Sequence, residues 1–436
     1  MRLVNFAVFV PLVVCFGCSS SPSRPGESAE AGSASSADGG SPGADGGGGA
    51  EGGTVSKGPP SAEGGSSADG GKPPPGDSGT GVPEPEAGTS MKPGNPDGSC
   101  STGLPSGGQP VDTSHPTTVV GTGTPASCTF DALEAAVALA GIITFDCGSA
   151  AMTIPITATL NLDIDNDTVI DGGGKVTLDG MTSVQVMNFN SPNFQANETR
   201  VTLQNITLTN GKTTPTDAIP PAPAPCSQGW DDGEGGALYM RDGNLTVINS
   251  IFTNNQAAPL GPDTGGGAIY VLGSKHGALI VGSTFMNNKA SNGAGVGGLF
   301  CELDVYDSLV RGNTATGNGA NNNDPSMCSA INNGQNEIGS GGNGGGLYSD
   351  GNSVNILLCG DEIDGNAAGV NAFGGGVFFT SDNLAGTLTI IDTTMTGNTG
   401  GYWTMVTSGS VTNVGTAVGV NAMSITVTDS TLQGYP

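Results

Sequence analysis

Between residues 235 and 398 one pair of short motifs recurs five times, and this repeat restricts the fold more than any other feature of the sequence. The first motif reads Gly235-Gly236-Ala237-Leu238-Tyr239, then Gly266-Gly267-Ala268-Ile269-Tyr270, Gly297-Gly298-Leu299-Phe300, Gly344-Gly345-Gly346-Leu347-Tyr348 and Gly374-Gly375-Gly376-Val377-Phe378. The second falls between these: Phe252-Thr253-Asn254-Asn255, Phe285-Met286-Asn287-Asn288, Val310-Arg311-Gly312-Asn313, Ile363-Asp364-Gly365-Asn366 and Met395-Thr396-Gly397-Asn398. Copies return at about 30 residues, a period that belongs to stacked repeats. The one longer step contains the Asn-rich stretch 317–339, read as an inserted loop. A unit this small cannot bury its own apolar face, so neighbouring units must stack. Glycine at one place per unit permits positive φ where the chain turns, and the residues after it alternate between interior and exterior. Asparagine at a second fixed place can bond the units above and below as a ladder.

Upstream, from Ala151, runs such as Met152-Thr153-Ile154, Thr168-Val169-Ile170, Val176-Thr177-Leu178 and Val201-Thr202-Leu203 are separated by Gly, Asn and Asp without intervening helices. Short strands in this order suit a coil that climbs one rung per circuit. The fold expected for residues 111–436 is therefore all-β, a right-handed parallel β-helix. At about 4.8 Å per rung its ten or eleven coils would be about 50 Å long. One helix is predicted over about 129–140, where Phe130, Leu133, Val137 and Ala140 share a face, with Thr129 as N-cap and Gly141 as stop. It is expected to close the open end of the stack, whose strand edges would otherwise be exposed. A bridge between Cys128 and Cys147 would pin this helix to the following strand and contribute about 3 kcal/mol.

The first residues have another character. Arg2, the apolar run Leu3 to Phe16 and Gly17-Cys18 read as a signal peptide over 1–17. Gly17-Cys18 resembles the bacterial lipobox, with Cys15 standing where Leu is usual, and implies that Cys18 carries the lipid and holds the exported chain to a membrane. From 18 to 110 the chain is Gly, Ser, Pro and Ala with scattered acids; it offers too little apolar surface to offset ordering and is expected to be a disordered tether. Beyond Cys15 and Cys18, the odd set Cys100, Cys128, Cys147, Cys226, Cys301, Cys328 and Cys359 remains. Export favours disulfides, and at least one of these thiols is left over.

The formal net charge is −27, and no Lys or Arg follows Arg311. Nucleic acid needs a basic surface, so it is excluded as a partner. Polyanionic glycans would be repelled unless calcium bridged the two surfaces.

The Gly-Gly-Ala-aliphatic-Tyr and Phe-x-x-Asn pair, over 235–398, resembles the repeat of chlamydial polymorphic outer-membrane proteins, within the pectin-lyase-like β-helix superfamily. Phe145-Asp146-Cys147-Gly148 and Thr168-Val169-Ile170-Asp171-Gly172-Gly173-Gly174 are similar to the first rungs of secreted bacterial β-helix proteins. The resemblance implies a non-enzymatic adhesin on the outer membrane or cell surface, with a host, neighbouring-cell or matrix component as partner. The chain differs from those proteins in ending at Pro436 without an autotransporter barrel, so the lipid at Cys18 is expected to provide the anchor.

The alternative is a polysaccharide lyase or glycoside hydrolase of the same superfamily. Such lyases use Arg or Lys beside calcium carboxylates, and Lys175, Arg200, Lys212, Arg241, Lys275, Lys289 and Arg311 show no repeated juxtaposition with acid pairs in the sequence. The Asn-Thr-Asp, Gly-His-Gly and Arg-x-Lys motifs of the hydrolases are missing, so no catalytic residue is assigned. Asp163, Asp165, Asp167 and Asp171 imitate a calcium loop, but Thr168 stands where glycine is required, and they are read as acidic turns. Asp231, Asp232 and Glu234, beside Trp230 at the end of a Pro-rich loop from Thr213, are the weak candidates for calcium or a sugar. His115 and His276 are too isolated for a zinc site.

Overall fold

The computed structural model of the chain describes residues 91–216, 233–261, 264–317, 341–369, 372–381, 383–400, 411–414 and 418–433. Its strands are short and assembled into parallel sheets in the order of the chain, an all-β, solenoid-like arrangement. From residue 238 each circuit supplies three recurring strands, and two circuits add a short fourth, Lys289–Ala290 and Thr314–Ala315. The first circuit gives Leu238–Arg241, Asn244–Ile248 and Ile251–Thr253, and the next gives Ile269–Leu272, Ala278–Val281 and Thr284–Met286. Each strand pairs in parallel with its counterpart one circuit on, and among the described residues the exception is Val411–Val414, antiparallel to Val418–Asn421.

Parallel register stacks like positions into columns. Leu245, Ala278, Leu303, Ile356 and Leu388 form one buried column, and Phe252, Phe285, Val310, Ile363 and Met395 another. The rings of Phe252 and Phe285 stack at 4.9 Å. Burying each such side chain contributes about 1.5–3 kcal/mol, and the columns merge into one core.

The corner that follows is held by asparagine. Asn254, Asn287, Gly312, Gly365 and Gly397 all take positive φ, which turns the chain and aims the next residue inward. That next residue is always Asn: 255, 288, 313, 366 and 398, all fully buried. Each of Asn255, Asn288, Asn313 and Asn366 donates from Nδ2 to Oδ1 of the asparagine one circuit on, at 2.9–3.0 Å. The same Oδ1 accepts the backbone N–H of the preceding asparagine. The second Nδ2 proton goes back one circuit to the carbonyls of Leu208, Phe252, Phe285 and Val310. Every amide donor and acceptor is used, which is what makes a polar residue tolerable at this depth.

One repeat is placed differently from its sequence alignment. The strand paired with Ile269–Leu272 is Val296–Leu299, so Val296, not Leu299, stands over Ile269. The turning glycine of that copy is Gly293 (φ 51°), matching Gly235, Gly266, Gly344 and Gly374. This circuit is shorter, and Gly297 and Gly298 lie inside the strand.

The helix runs from Phe130 to Val137, shorter than expected, because Ala140 and Gly141 both adopt positive φ and begin the turn into Gly141–Phe145. Thr129 caps it by accepting the Ala132 N–H, and Leu133, Ala136 and Val137 enter the core beside Val120 and Leu160. The sulfurs of Cys128 and Cys147 lie at bonding distance.

The start of the folded part is corrected. The low-apolar composition placed residues up to 110 in the tether, but Lys92–Pro436 is one compact unit, with residues 92–117 laid across the outside of the coils as a strap. Gly94 N–H bonds Thr284 Oγ1 at 2.9 Å, and Asn95 bonds the carbonyls of Asp307 and Gly360. The Cys100 N–H donates to Asp307, that of Ser101 to Asp392, and the Cys100 and Cys359 sulfurs lie at bonding distance. The chain then turns back: Leu104 packs beside Val281, Tyr306 and Cys359, Val111 exchanges bonds with the Gln204 amide, and Thr113 donates to Asp171. The physical reason is the column Ile248, Val281, Tyr306, Cys359 and Ile391, which faces outward yet is mostly apolar and needs a cover.

Candidate functional site

Asparagine corners are followed by the edge of the solenoid that carries its insertions. In the sequence the stretches 217–232 and 318–340 follow the corners at Asn210 and Asn313 and precede the glycine motifs at Gly235 and Gly344. Their feet are firmly bonded. Gln185 Nε2 donates to the carbonyls of Glu234 and Gly235 at 3.0 and 2.7 Å, and Thr213 Oγ1 donates to Gly235 O. Thr316 Oγ1 donates to Pro259 O at 2.7 Å, and Gly317 N–H to Ser291 O. On the returning side the Asn343 N–H donates to Asn292 Oδ1, and the Phe373 N–H to Asn343 Oδ1. The described chain on either side of these stretches is thus rooted in a hydrogen-bonded frame.

The aromatic residues of the neighbouring strands do not form an exposed sugar platform, because they are buried. Tyr239 and Tyr270 stack at 6.4 Å, and Tyr348 and Phe378 at 5.3 Å. All four are buried.

A second feature lies on the outer face of the strands before the asparagine corner. Leu309–Arg311 pairs with Glu362–Asp364 in a register that sets Arg311 against Asp364. The Arg311 guanidinium bridges both acids, bonding Glu362 Oε1 through Nη2 and lying 3.3 Å from Asp364 Oδ2 through Nε. Thr396 Oγ1 donates to the other Asp364 oxygen at 2.9 Å. All three charged side chains are about one-quarter to one-third exposed. The sequence shows no repeated juxtaposition of its basic residues with acid pairs; the structure brings one of them, Arg311, against two acids that come from the following circuit. The signal was present, because aligning Val310-Arg311-Gly312-Asn313 with Ile363-Asp364-Gly365-Asn366 superposes Arg311 on Asp364.

The sequence candidates are dispersed. Cys18, Trp230, Asp231 and Asp232 lie outside the described residues. Glu234 is buried at the foot of the first insertion, 2% exposed. Among the described residues no cluster of His, Cys, Asp or Glu has the geometry to hold a metal. Asp163 closes a turn, its Oδ1 accepting the N–H groups of Asp165 and Asn166. Asp167 accepts the Arg200 N–H. Burial works against ionisation of Asp171, but bonds from Asn205, Gln204, Gly173 and Thr113 outweigh it and hold its carboxyl below the usual range. His276 Nε2 lies 2.7 Å from Glu198 Oε2 on an exposed loop, beside Lys275.

Asp361 is a buried charge-bearing group that the sequence did not mark. It occupies a column otherwise made of hydroxyls: Ser250, Ser283 and Ser308 before it, Thr393 and Ser430 after it. Burial pushes its carboxyl well above the usual range, against two backbone N–H bonds from Ser308 and Cys359 and with the nearby Asp307 charge adding to the rise. Cys301 is sealed in the core, and burial pushes its thiol up. Comparison with protein families, with curated proteins and with solved structures returns no match for this chain.

Proposed function

We propose that the chain is a right-handed parallel β-helix, closed at its first coil by the Phe130–Val137 helix, that acts as a surface-displayed binding protein without catalytic activity. In this reading residues 1–17 direct export, and a lipid on Cys18 anchors the chain at the outer membrane or cell surface. The inserted segments engage a host, neighbouring-cell or matrix component. The observation that carries it is that the long stretches 217–232 and 318–340 fall at the same place in the repeat, between corner and glycine motif, with bonded residues on either side. Binding sites concentrate on loops held by a rigid scaffold, and a solenoid that varies at a single edge is built for recognition there.

The test is replacement of 217–232 and of 318–340, separately, by short Gly-Ser links in the full chain. Loss of binding to cells or matrix with unchanged folding supports the reading; unchanged binding by both variants refutes it. Cys18→Ala, followed by membrane fractionation, should release the protein or leave it unprocessed.

A second reading, a polysaccharide-active enzyme, draws on the Arg311, Glu362 and Asp364 cluster, where a cation and two carboxylates share one partly exposed face. It requires turnover on pectate, polygalacturonate, alginate or neutral glycans, with calcium supplied, that Glu362→Gln abolishes.

A further inference from the structure

The last coil differs from those before it. In earlier coils the strand equivalent to Ser424–Thr428 buries its inward residues fully, as Leu388 and Ile390 do. In the last coil Ile425 and Val427 continue these columns but remain partly exposed, and Met423 beside them is 64% exposed. Ser424–Thr428 pairs on one side with Thr387–Ile391, and among the described residues nothing pairs on its other side. The first coil, by contrast, has the Phe130–Val137 helix against it.

The direction of the unused hydrogen bonds follows from the inner coils. Ala278 N–H donates forward to Glu302 O and Leu303 N–H donates forward to Asn355 O. Ile425 continues that column and Val427 lies two residues on, so their N–H and C=O groups point to the free edge, while Thr428 O already accepts the Asp392 N–H behind it. The strand is also without charge. Edge strands are ordinarily protected by charged side chains, proline or a covering element; this strand carries neither charge nor proline, and none of the described residues covers its free edge, in a chain of net charge −27.

We propose that this edge is an interaction surface for a second copy of the same chain, the two Ser424–Thr428 strands pairing antiparallel about a twofold axis through Thr426. The sequence is self-complementary in that register. Ile425 meets Val427 of the second copy in the hydrogen-bonded pairs that flank the centre, and the edge-pointing groups of both residues find partners. Thr426 meets itself in the non-hydrogen-bonded pair, where side chains come closest. An axis normal to the sheet keeps Ile425 and Val427 of both copies on the interior side, so the two cores continue into each other. The absence of charge removes the repulsion that the acidic remainder of the chain would otherwise impose.

The experiment is made on the full chain. Thr426→Cys should cross-link copies under mild oxidation, while Thr389→Cys, the same outward position one coil earlier, should not. The unaltered chain should have twice the 42.8 kDa chain mass in solution. Thr426→Lys and Thr426→Glu, each alone, should lower the dimer fraction by placing like charges opposite one another, and mixing the two should restore it. A monomeric full chain overturns the proposal. So does a dimer that Thr426→Cys fails to cross-link, or one in which Thr389→Cys reacts as readily.

Discussion

At the asparagine corner each coil is joined to its neighbours through the same fully bonded amide, whereas the strap meets the coils through unlike, scattered contacts and is fixed by a single covalent link between Cys100 and Cys359. The first arrangement is distributed, and every link depends on the one above and below. The second depends on one bond plus isolated contacts. A fold of stacked coils thus tolerates change outside its columns and resists it within them.

The sharpest way to break this contrast is Asn313→Ala. It strands one Asn288 amide proton, the Asn288 backbone N–H and the Phe285 carbonyl, while the backbone N–H of residue 313 still bonds Asn366 Oδ1, and should cost about 4 kcal/mol, each buried unsatisfied group contributing about 1–3 kcal/mol. Chemical denaturation measures it; a cost below that of an exposed substitution would refute the ladder. Cys100→Ser should cost about 2–4 kcal/mol. Its effect should be local, with faster amide exchange in strands Asn244–Ile248 and Ala278–Val281 and unchanged protection at the asparagine corner. Uniform loss of protection would make the strap and the coils one cooperative unit.

Asp361→Ser should have a smaller effect, with a pH signature. A carboxyl whose folded pKa is raised contributes its stability below the unfolded value and loses it as pH rises through the folded one. The variant, which restores the hydroxyl column, should therefore gain on the unaltered chain most at alkaline pH and least in mild acid. Asp171, held low, has the opposite sign: its contribution is present above the unfolded value and lost as pH falls through the folded one. Smallest of all, replacing 318–340 by a short link should change stability by under about 1 kcal/mol, since loop closure depends only weakly on length. Alkylation under denaturing conditions, without reduction, should find Cys301 free.

The coils were legible because their signal is periodic: Phe252, Phe285 and the asparagines after them recur at fixed places, and that recurrence is the stacking itself. The shortened circuit at Gly293 was misplaced because Gly297-Gly298 offers the same local pattern within a strand. The strap was illegible for a different reason. It is held through backbone N–H groups, the Asn95 amide, one cysteine and Leu104, none of which makes a pattern along residues 92–110. The sign of its presence lay elsewhere, in the outward apolar column from Ile248 to Ile391, where a half-exposed strand would carry polar residues. The Arg311 cluster became visible only when successive beats were laid over one another.

The separation of 259 residues between Cys100 and Cys359 also sets an order of events during biogenesis. As the chain emerges from its amino end, Cys128 and Cys147, only 19 residues apart, find each other early, while Cys100 waits until the coil bearing Cys359 has been laid down. Coils add by contacts with the nearest neighbour and need no distant partner. Docking of the strap is thus the late, long-range closure of an otherwise local assembly, and an oxidant acting too soon would join Cys100 to whichever thiol had arrived first.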